Sequence, residues 1–239
     1  MDHTEALTTS DCYVQGIFKC EIKNRFLCQV NVAGDDAVCY IPSSCRLSNF
    51  LDLTNRNVLL KPVNGKNAKT KYSVYAVEYK KSYILLNLSQ SNRVIENQIN
   101  RRCFAFLGKR KNVIREAVIA GYKSDLFIKD TNTIIEIKSI LSFNKETMFP
   151  SMYSNRALKQ LADIAELLDK GYKVCYIFVS LNSYVKSLTI DVTKTNYFDL
   201  FRKCIEKGMV CCGFSLKFKE GEVTIHSRLH INLKACDIF

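Results

Sequence analysis

Ser124-Asp125-Leu126-Phe127-Ile128, followed by Ile134-Ile135-Glu136-Ile137-Lys138, decides how this chain folds. Each half has the Ile-rich, alternating or continuous apolar character of a β-strand, and Asp130-Thr131-Asn132 supplies turn residues between them. A two-residue loop at Asp130-Thr131 sets Asp125 opposite Glu136, and a four-residue loop sets it opposite Lys138. Side chains alternate with period two, so either register brings Asp125, Glu136 and Lys138 to one face of the hairpin. A three-residue loop without a bulge breaks the arrangement. Ile134, Ile135, Ile137 and Ile140 surround these charges, which sets them apart from an ordinary solvated face. Two carboxylates and one ammonium beside apolar strands leave a negative charge that a divalent cation would balance. Glu116, upstream in Val113-Ile114-Arg115-Glu116-Ala117, is a further acidic candidate.

Outward from the hairpin, the flanking pattern is that of an α/β unit. A helix is expected over 154–170, with Ser154 as its cap, Gly171 as its stop and a buried stripe of Leu158, Leu161, Ala165 and Leu168. Its other face carries Arg156, Lys159, Gln160 and Asp163. The run Lys173-Val174-Cys175-Tyr176-Ile177-Phe178-Val179 predicts a strand covered on both faces. A second helix over 197–207 and strands over 209–218 and 223–233 complete the unit. Before the hairpin, Val94, Ile95, Ile99 and Cys103 through Leu107 fit a helix that Gly108 ends.

The N-terminal third reads differently. Short strands are expected over 14–22, 26–32, 37–41, 58–63 and 72–87, the last folded at Lys80-Lys81. Turns are expected at Gly34-Asp35-Asp36 and Asn64-Gly65-Lys66-Asn67. Five or six short strands in about 75 residues suggest a small antiparallel barrel, and the OB-fold and other small β-domains satisfy that pattern equally. The expected fold class is therefore α/β, α+β overall. An OB-like barrel over residues 10–88 precedes a second domain over 89–239.

Composition narrows the function. Hydrophobic residues at 47% and charged ones at 24% are ordinary for a globular protein, and no apolar run reaches membrane-spanning length. Met1-Asp2-His3-Thr4-Glu5 lacks the basic start and apolar core of a signal peptide, so a cytoplasmic location is expected, with no membrane partner. Eleven cysteines include no Cys-x-x-Cys pair; Cys28, Cys39, Cys175 and Cys211 lie in apolar strand-like runs and read as reduced, buried thiols rather than zinc ligands. The net charge of +12 is half concentrated in Arg101, Arg102, Lys109, Arg110, Lys111 and Arg115, with no acid between them. Such a run suits a polyanionic substrate. His226 and His230, four residues apart on one expected strand, would lie about 13 Å apart, too far for one metal.

An acidic residue followed by Glu-x-Lys on the next strand is the core of the PD-(D/E)XK metal-dependent nucleases, with Ser124 here in place of the leading Pro. Over nearly its whole length the chain resembles the sugar fermentation stimulation protein A family. Arg115-Glu116, Ser124-Asp125-Leu126-Phe127 and Ile135-Glu136-Ile137-Lys138-Ser139 resemble its Glu-Val, Ile-Asp-Phe and Ile-Glu-Val-Lys-Ser elements. Leu86-Asn87, Asn92-Arg93, Phe149-Pro150 and Arg156-Ala157-Leu158-Lys159-Gln160-Leu161 also match, with Gln160 where the family usually has His. Arg25-Phe26-Leu27 and Tyr40-Ile41-Pro42 keep the shape of its N-terminal signature, but Ser43-Ser44-Cys45 replaces Asn-Thr-Gly.

The resemblance implies an OB-like domain fused to a restriction-endonuclease-like PD-(D/E)XK domain, DNA as partner, and nuclease activity. In that reading Asp125 and Glu136, with the Ile137 carbonyl, hold Mg²⁺ or Mn²⁺, and Glu116 joins directly or through water. Lys138 positions or deprotonates the attacking water and offsets phosphate charge. Arg156, Lys159 and Gln160 contact phosphate or orient the metal ligands. No small-molecule cofactor is called for. Two alternatives stand beside it. One is a sequence-nonspecific DNA-binding protein with a vestigial site. The other is an RNA-binding barrel with an inert second domain, for which Tyr72, Tyr75, Tyr79 and Tyr83 would be the aromatic platform.

Overall fold

The computed structural model describes residues 13–43, 46–65 and 68–233. The Ser44-Cys45 part of the altered N-terminal signature, and Lys66-Asn67 of the expected turn, lie outside the described residues. The first six strands are β1 (Val14–Glu21), β2 (Leu27–Val32), β3 (Asp35–Tyr40), β4 (Asn57–Pro62), β5 (Tyr72–Tyr79) and β6 (Ser82–Leu85). β1 lies antiparallel between β2 and β4, β2 pairs β3, and β4 pairs β5. A parallel contact of β3 with β5, Cys39 opposite Tyr72, closes the ring. Closure removes the open edges and yields the five-stranded OB-like barrel, with Phe18, Cys28, Val30, Cys39, Leu60, Val74 and Ala76 filling it. Gly16 permits the curl: a Cβ there would come within 2.6 Å of Val30 Cγ1 and 2.9 Å of the Asn31 carbonyl. The β2–β3 turn is Ala33-Gly34, both at positive φ, one residue earlier than expected, because Asp35 already pairs with Val32. Lys80 and Lys81, also at positive φ, form the β5–β6 turn where the sequence placed it.

The second unit contains α1 (Ser89–Gln98), β7 (Val113–Arg115), β8 (Val118–Ile119), β9 (Tyr122–Lys123), β10 (Leu126–Ile128), β11 (Thr133–Ile140) and β12 (Glu146–Phe149). It continues with α2 (Asn155–Asp169), β13 (Lys173–Ser180), β14 (Ser187–Ile190), α3 (Thr195–Glu206), β15 (Val210–Lys219), β16 (Glu222–Arg228) and β17 (His230–Asn232). Its main sheet has the order β16-β15-β13-β11-β10-β7, with β11, β13 and β15 parallel. β12, β14 and β17 form a separate three-stranded sheet. Alternation sorts the central strands. Ile135, Ile137, Cys175 and Ile177 join the core that runs continuously into the barrel, whereas Ile134, Val174, Tyr176 and Phe178 pack with α2 and α3. β6 bridges the units, its Leu85 N–H donating to the Leu181 carbonyl at 3.0 Å.

Four sequence expectations are corrected. The first helix stops at Gln98: Arg101 is extended, and a separate 3-10 turn over Arg102–Leu107 drops Phe104 against Phe214, ring centroids 4.8 Å apart. The final strand breaks at Leu229, whose N–H bonds the Gly213 carbonyl at 2.9 Å. There the chain crosses β15 so closely that a Cβ on Gly213 would sit 2.7 Å from Ile231. His226 and His230 therefore belong to different strands in different sheets. In α2 the fully buried stripe is Leu161, Ile164, Ala165 and Leu167, with Leu158 and Leu168 half-buried at its margins. The tyrosines proposed as a platform are spent on packing: Tyr75 and Tyr83 meet Phe218 edge-on, and Tyr79 packs on Phe143. Cys28, Cys39 and Cys175 are buried, and Cys211 is half-buried. No helix among the described residues is long and apolar enough to cross a membrane.

Candidate active site

The β10–β11 hairpin sets Ile128 opposite Thr133 and Leu126 opposite Ile135, so its connection is the four residues 129–132. Lys129–Thr131 form a 3-10 turn and Asn132 is left-handed, a conformation asparagine tolerates. Continuing that register puts Asp125, the residue before β10, opposite Glu136. The four-residue loop starts one residue earlier than the alternative that would have matched Asp125 with Lys138. Glu136 and Lys138 share the face of β11 that looks toward α2.

The side chains there form two adjoining sets of hydrogen bonds, one around each carboxylate. Asp125 Oδ2 accepts the Ile137 N–H at 2.7 Å, and its Oδ1 accepts Asn92 Nδ2 of α1 at 2.8 Å. Glu136 is buried; its Oε2 accepts the Tyr122 hydroxyl at 2.6 Å. Its Oε1 accepts both Lys138 Nζ at 2.6 Å and Gln160 Nε2 at 2.9 Å. Gln160 completes the link by accepting Lys138 Nζ on its own Oε1 at 2.7 Å. The helix bearing Gln160 is fixed by its cap, Ser154 Oγ accepting the Ala157 N–H at 3.2 Å, worth about 1 kcal/mol. Burial, reinforced by the Glu136 charge, pushes the Asp125 carboxyl up to about 6 against the opposing pull of the Ile137 N–H, Lys138 and Asn92. Burial and the same glutamate raise the Tyr122 hydroxyl far above its usual value, so it stays a hydrogen-bond donor.

Asn92, Asp125, Glu136, Lys138 and Gln160 line a cleft of about 1020 Å³ that Phe26, Tyr40 and Phe50 of the barrel unit line as well. Arg156 lines the cleft; Lys159, on the solvent side of α2, pairs instead with Asp163 at 2.8 Å. Glu116 lines it too and its N–H donates to the Asp125 carbonyl at 3.0 Å, yet its carboxylate stands at the lip, paired with Lys123 at 2.6 Å and held below its usual pKa by that lysine. The basic run is elsewhere. β7 runs antiparallel to β10 with Val113 opposite Ile128, so Lys109, Arg110 and Lys111 gather at the end of β10 away from Asp125. Lys109 pairs with Asp130 at 3.4 Å, and Arg110 donates to the carbonyls of Ile99 and Gly108. Arg115 reaches Glu96 at 3.6 Å, and Arg101 donates to Gln98. None of the six basic residues, Arg102 included, lines the cleft.

Among the described residues no three acidic, histidine or cysteine side chains converge as a metal cluster. The donor set is two carboxylates plus the Ile137 carbonyl, which leaves the same side of β11 as the N–H that meets Asp125. That all-oxygen set suits a hard cation, and two carboxylates against one ammonium leave the charge that such a cation would balance. Sequence reading missed Tyr122 as a partner of Glu136 and the Phe26–Tyr40 pair on the barrel wall. Asn92 had been noticed as part of a motif but given no contact. Only the three-dimensional path of α1 reveals what it holds.

An OB barrel closed by β3 and β5, joined to an α/β domain whose central hairpin carries an Asp, Glu-x-Lys set, defines the class. The family model described as "Sugar fermentation stimulation protein RE domain" matches residues 89–222, and that of the "SfsA N-terminal OB domain" matches residues 22–86. The chain belongs to the sugar fermentation stimulation protein family. It is 27% identical over 176 residues to the sugar fermentation stimulation protein homolog of Natranaerobius thermophilus, covering 71% of this chain and 72% of that one. The Thermotoga neapolitana homolog is 26% identical over 227 residues, 93% of this chain and 95% of its own. The fold matches a structure titled as Pyrococcus furiosus SfsA in complex with Ca²⁺, with a TM-score of 0.79 and 18% identity, covering 97% of this chain and 99% of that one.

Proposed function

We propose that the chain is a DNA-binding protein whose Asp125, Glu136 and Lys138 form a divalent-metal-dependent phosphodiesterase centre. The observation that carries this reading is the closed Glu136–Lys138–Gln160 hydrogen-bond triangle with Asp125, held by the Ile137 N–H and Asn92, beside it on the wall of a large cleft, the charges of Asp125, Glu136 and Lys138 brought together by one hairpin register. Asp125, Glu136 and the Ile137 carbonyl would hold Mg²⁺ or Mn²⁺; the Ca²⁺ named for the Pyrococcus relative is a cation of the same oxygen-preferring kind. Such a metal supplies Lewis acidity toward the phosphate and an acidified water. Lys138 offsets the charge that develops on the phosphate, and Gln160 keeps its ammonium from collapsing fully onto Glu136. Tyr122 and Asn92 fix the rotamers of the two carboxylates, so the acidic oxygens are positioned before substrate arrives. Arg156, on the same cleft, is placed to meet a flanking phosphate.

One observation favours a second reading, DNA binding without cleavage: every oxygen of Asp125 and Glu136 already has a protein donor. Supercoiled plasmid incubated with Mg²⁺ or Mn²⁺ separates the two. Nicking by the wild type and none by Asp125→Ala supports the enzyme. Nicking that survives Asp125→Ala undiminished, or no nicking at all, leaves the binding protein.

A further inference from the structure

The barrel wall of the cleft presents aromatic surface that packing does not use. Tyr40, the last residue of β3, is 41% exposed, and Phe26, just before β2, lies beside it with ring planes 20° apart and centroids 6.5 Å apart. The pair is rigidly mounted. The Phe26 N–H donates to Asn24 Oδ1 at 3.0 Å, and its carbonyl accepts the Ile41 N–H at 2.8 Å. The Arg25 guanidinium sits 4.7 Å from the Phe26 ring centre. Phe26 and Tyr40 line the catalytic cleft on one side and a second recess of about 440 Å³ on the other, so they form a ridge between two hollows. Leu27, Val38, Val63 and Ala68 line that second recess, with Lys69 at its edge.

We propose that this ridge stacks unpaired bases of a single DNA strand and leads that strand from the barrel recess into the cleft that faces Asp125 and Glu136. The route into the cleft deepens the nuclease reading above and rests on it. Four features point to this occupant. The exposed Tyr40 ring, near-parallel to the half-buried Phe26 ring, offers a π-face, which a base can meet only when it is not stacked inside a duplex. Arg25 and Lys69 stand beside the ridge in a chain of net charge +12, which suits a phosphate backbone. On OB barrels the β2–β3 face and the loops around it are where oligonucleotides bind. Finally, the recess beyond the ridge is mostly apolar, with Asn24, Lys69 and Thr70 as its polar lining, and Leu27, Val38, Val63 and Ala68 offer a deoxyribose or a thymine methyl apolar contact that a ribose 2′-hydroxyl would spoil. That last point selects DNA over RNA.

The test is fluorescence anisotropy of the full chain in EDTA, where cleavage cannot intrude. The probes are labelled oligothymidylate of about 15 nucleotides, oligouridylate of equal length and a matching duplex. Oligothymidylate should bind tightest. Phe26→Ala combined with Tyr40→Ala should weaken that binding on the order of thirtyfold while leaving duplex binding nearly unchanged. Tyr40→Phe, which keeps the ring, should bind like the wild type and shows that the loss comes from the π-face. Tighter binding of duplex or of oligouridylate, or a double variant that binds oligothymidylate normally, overturns the proposal. Ridge-dependent binding by a chain that never nicks plasmid keeps the stacking site and removes only the nuclease reading.

Discussion

Two concentrations of charge stand about one β-strand apart in this molecule, and they behave in opposite ways. At one end of β10, Asp125 is brought across eleven residues of sequence to Glu136 and Lys138; all three are half-buried or buried, Glu136 and Lys138 closing a hydrogen-bonded triangle with Gln160 while the Ile137 N–H and Asn92 hold Asp125. At the other end lie Lys109, Arg110 and Lys111, consecutive in sequence, and two of the three are engaged with Asp130 and with main-chain carbonyls. The denser cluster along the chain is the less organised in space. Charge density by itself reports a surface; a shared face set by strand register, in surroundings that desolvate it, makes a site.

The largest expected contrast between the two ends is catalytic. Asp125→Ala should lower metal-supported DNA cleavage by roughly 10³-fold or more, since in the proposed mechanism it removes a metal ligand, while neutralising Lys109, Arg110 and Lys111 should change the rate at saturating DNA little. Gel quantification of plasmid nicking reads both. Equal losses from the two sets would erase the distinction.

Stability offers the next contrast. The folded-state pKa of Asp125 is raised to about 6, so without metal its ionised form opposes folding. As pH falls, the native carboxyl takes up its proton before the unfolded one does. The penalty is therefore present above about pH 6 and fades between pH 6 and about 4. Asp125→Asn should stabilise the metal-free protein at pH 7.5 by roughly 2–3 kcal/mol, with the gain vanishing near pH 4. Urea unfolding at the two pH values measures it, and a gain of equal size at both would contradict the assignment to this carboxyl.

For the basic end, the expected effect is on binding alone. Replacing Lys109, Arg110 and Lys111 by alanine should weaken DNA binding about tenfold at moderate salt and flatten the salt slope by about one to two contacts rather than three, because Arg110 already serves the Ile99 and Gly108 carbonyls. An unchanged slope places the phosphate contacts on other surfaces. The smallest effect is at the buried end: Tyr122→Phe removes the 2.6 Å bond to Glu136 and should slow cleavage a few-fold and destabilise the fold by about 1 kcal/mol.

The unequal legibility of these regions has physical causes. The hairpin and α2 were readable because their information is local: alternating isoleucines, a turn-forming Asp130-Thr131-Asn132, and a Ser154 cap seventeen residues before a Gly171 stop. Even the loop length mattered little, since both even registers gave the same face. The barrel could be counted in strands but not closed, because closure rests on the Cys39–Tyr72 pairing, which no local pattern announces. The Phe26–Tyr40 ridge was hidden for the same reason: residues fourteen apart meet only through the Leu27–Tyr40 register of β2 and β3. The helix expected to run to Leu107 and the strand expected to run to Leu233 both followed correct apolar patterns. They break where Phe104 must enter the core and where Gly213 lets the chain cross, and both causes are tertiary. Glu116 was placed next to the right strand, but its left-handed backbone and Lys123 hold its carboxylate at the lip.

The proposed mechanism requires Asp125 and Glu136 to hold a cation that Lys138 does not ligate. Calorimetric titration of Mn²⁺ into the wild type, Asp125→Ala and Lys138→Ala chains tests it most directly. One binding event is expected in the wild type, with its loss in Asp125→Ala and its retention or tightening in Lys138→Ala, since removing the ammonium takes away a competing positive charge and one of the two donors on Glu136 Oε1. Absence of binding in the wild type, or binding that survives Asp125→Ala unchanged, would contradict it.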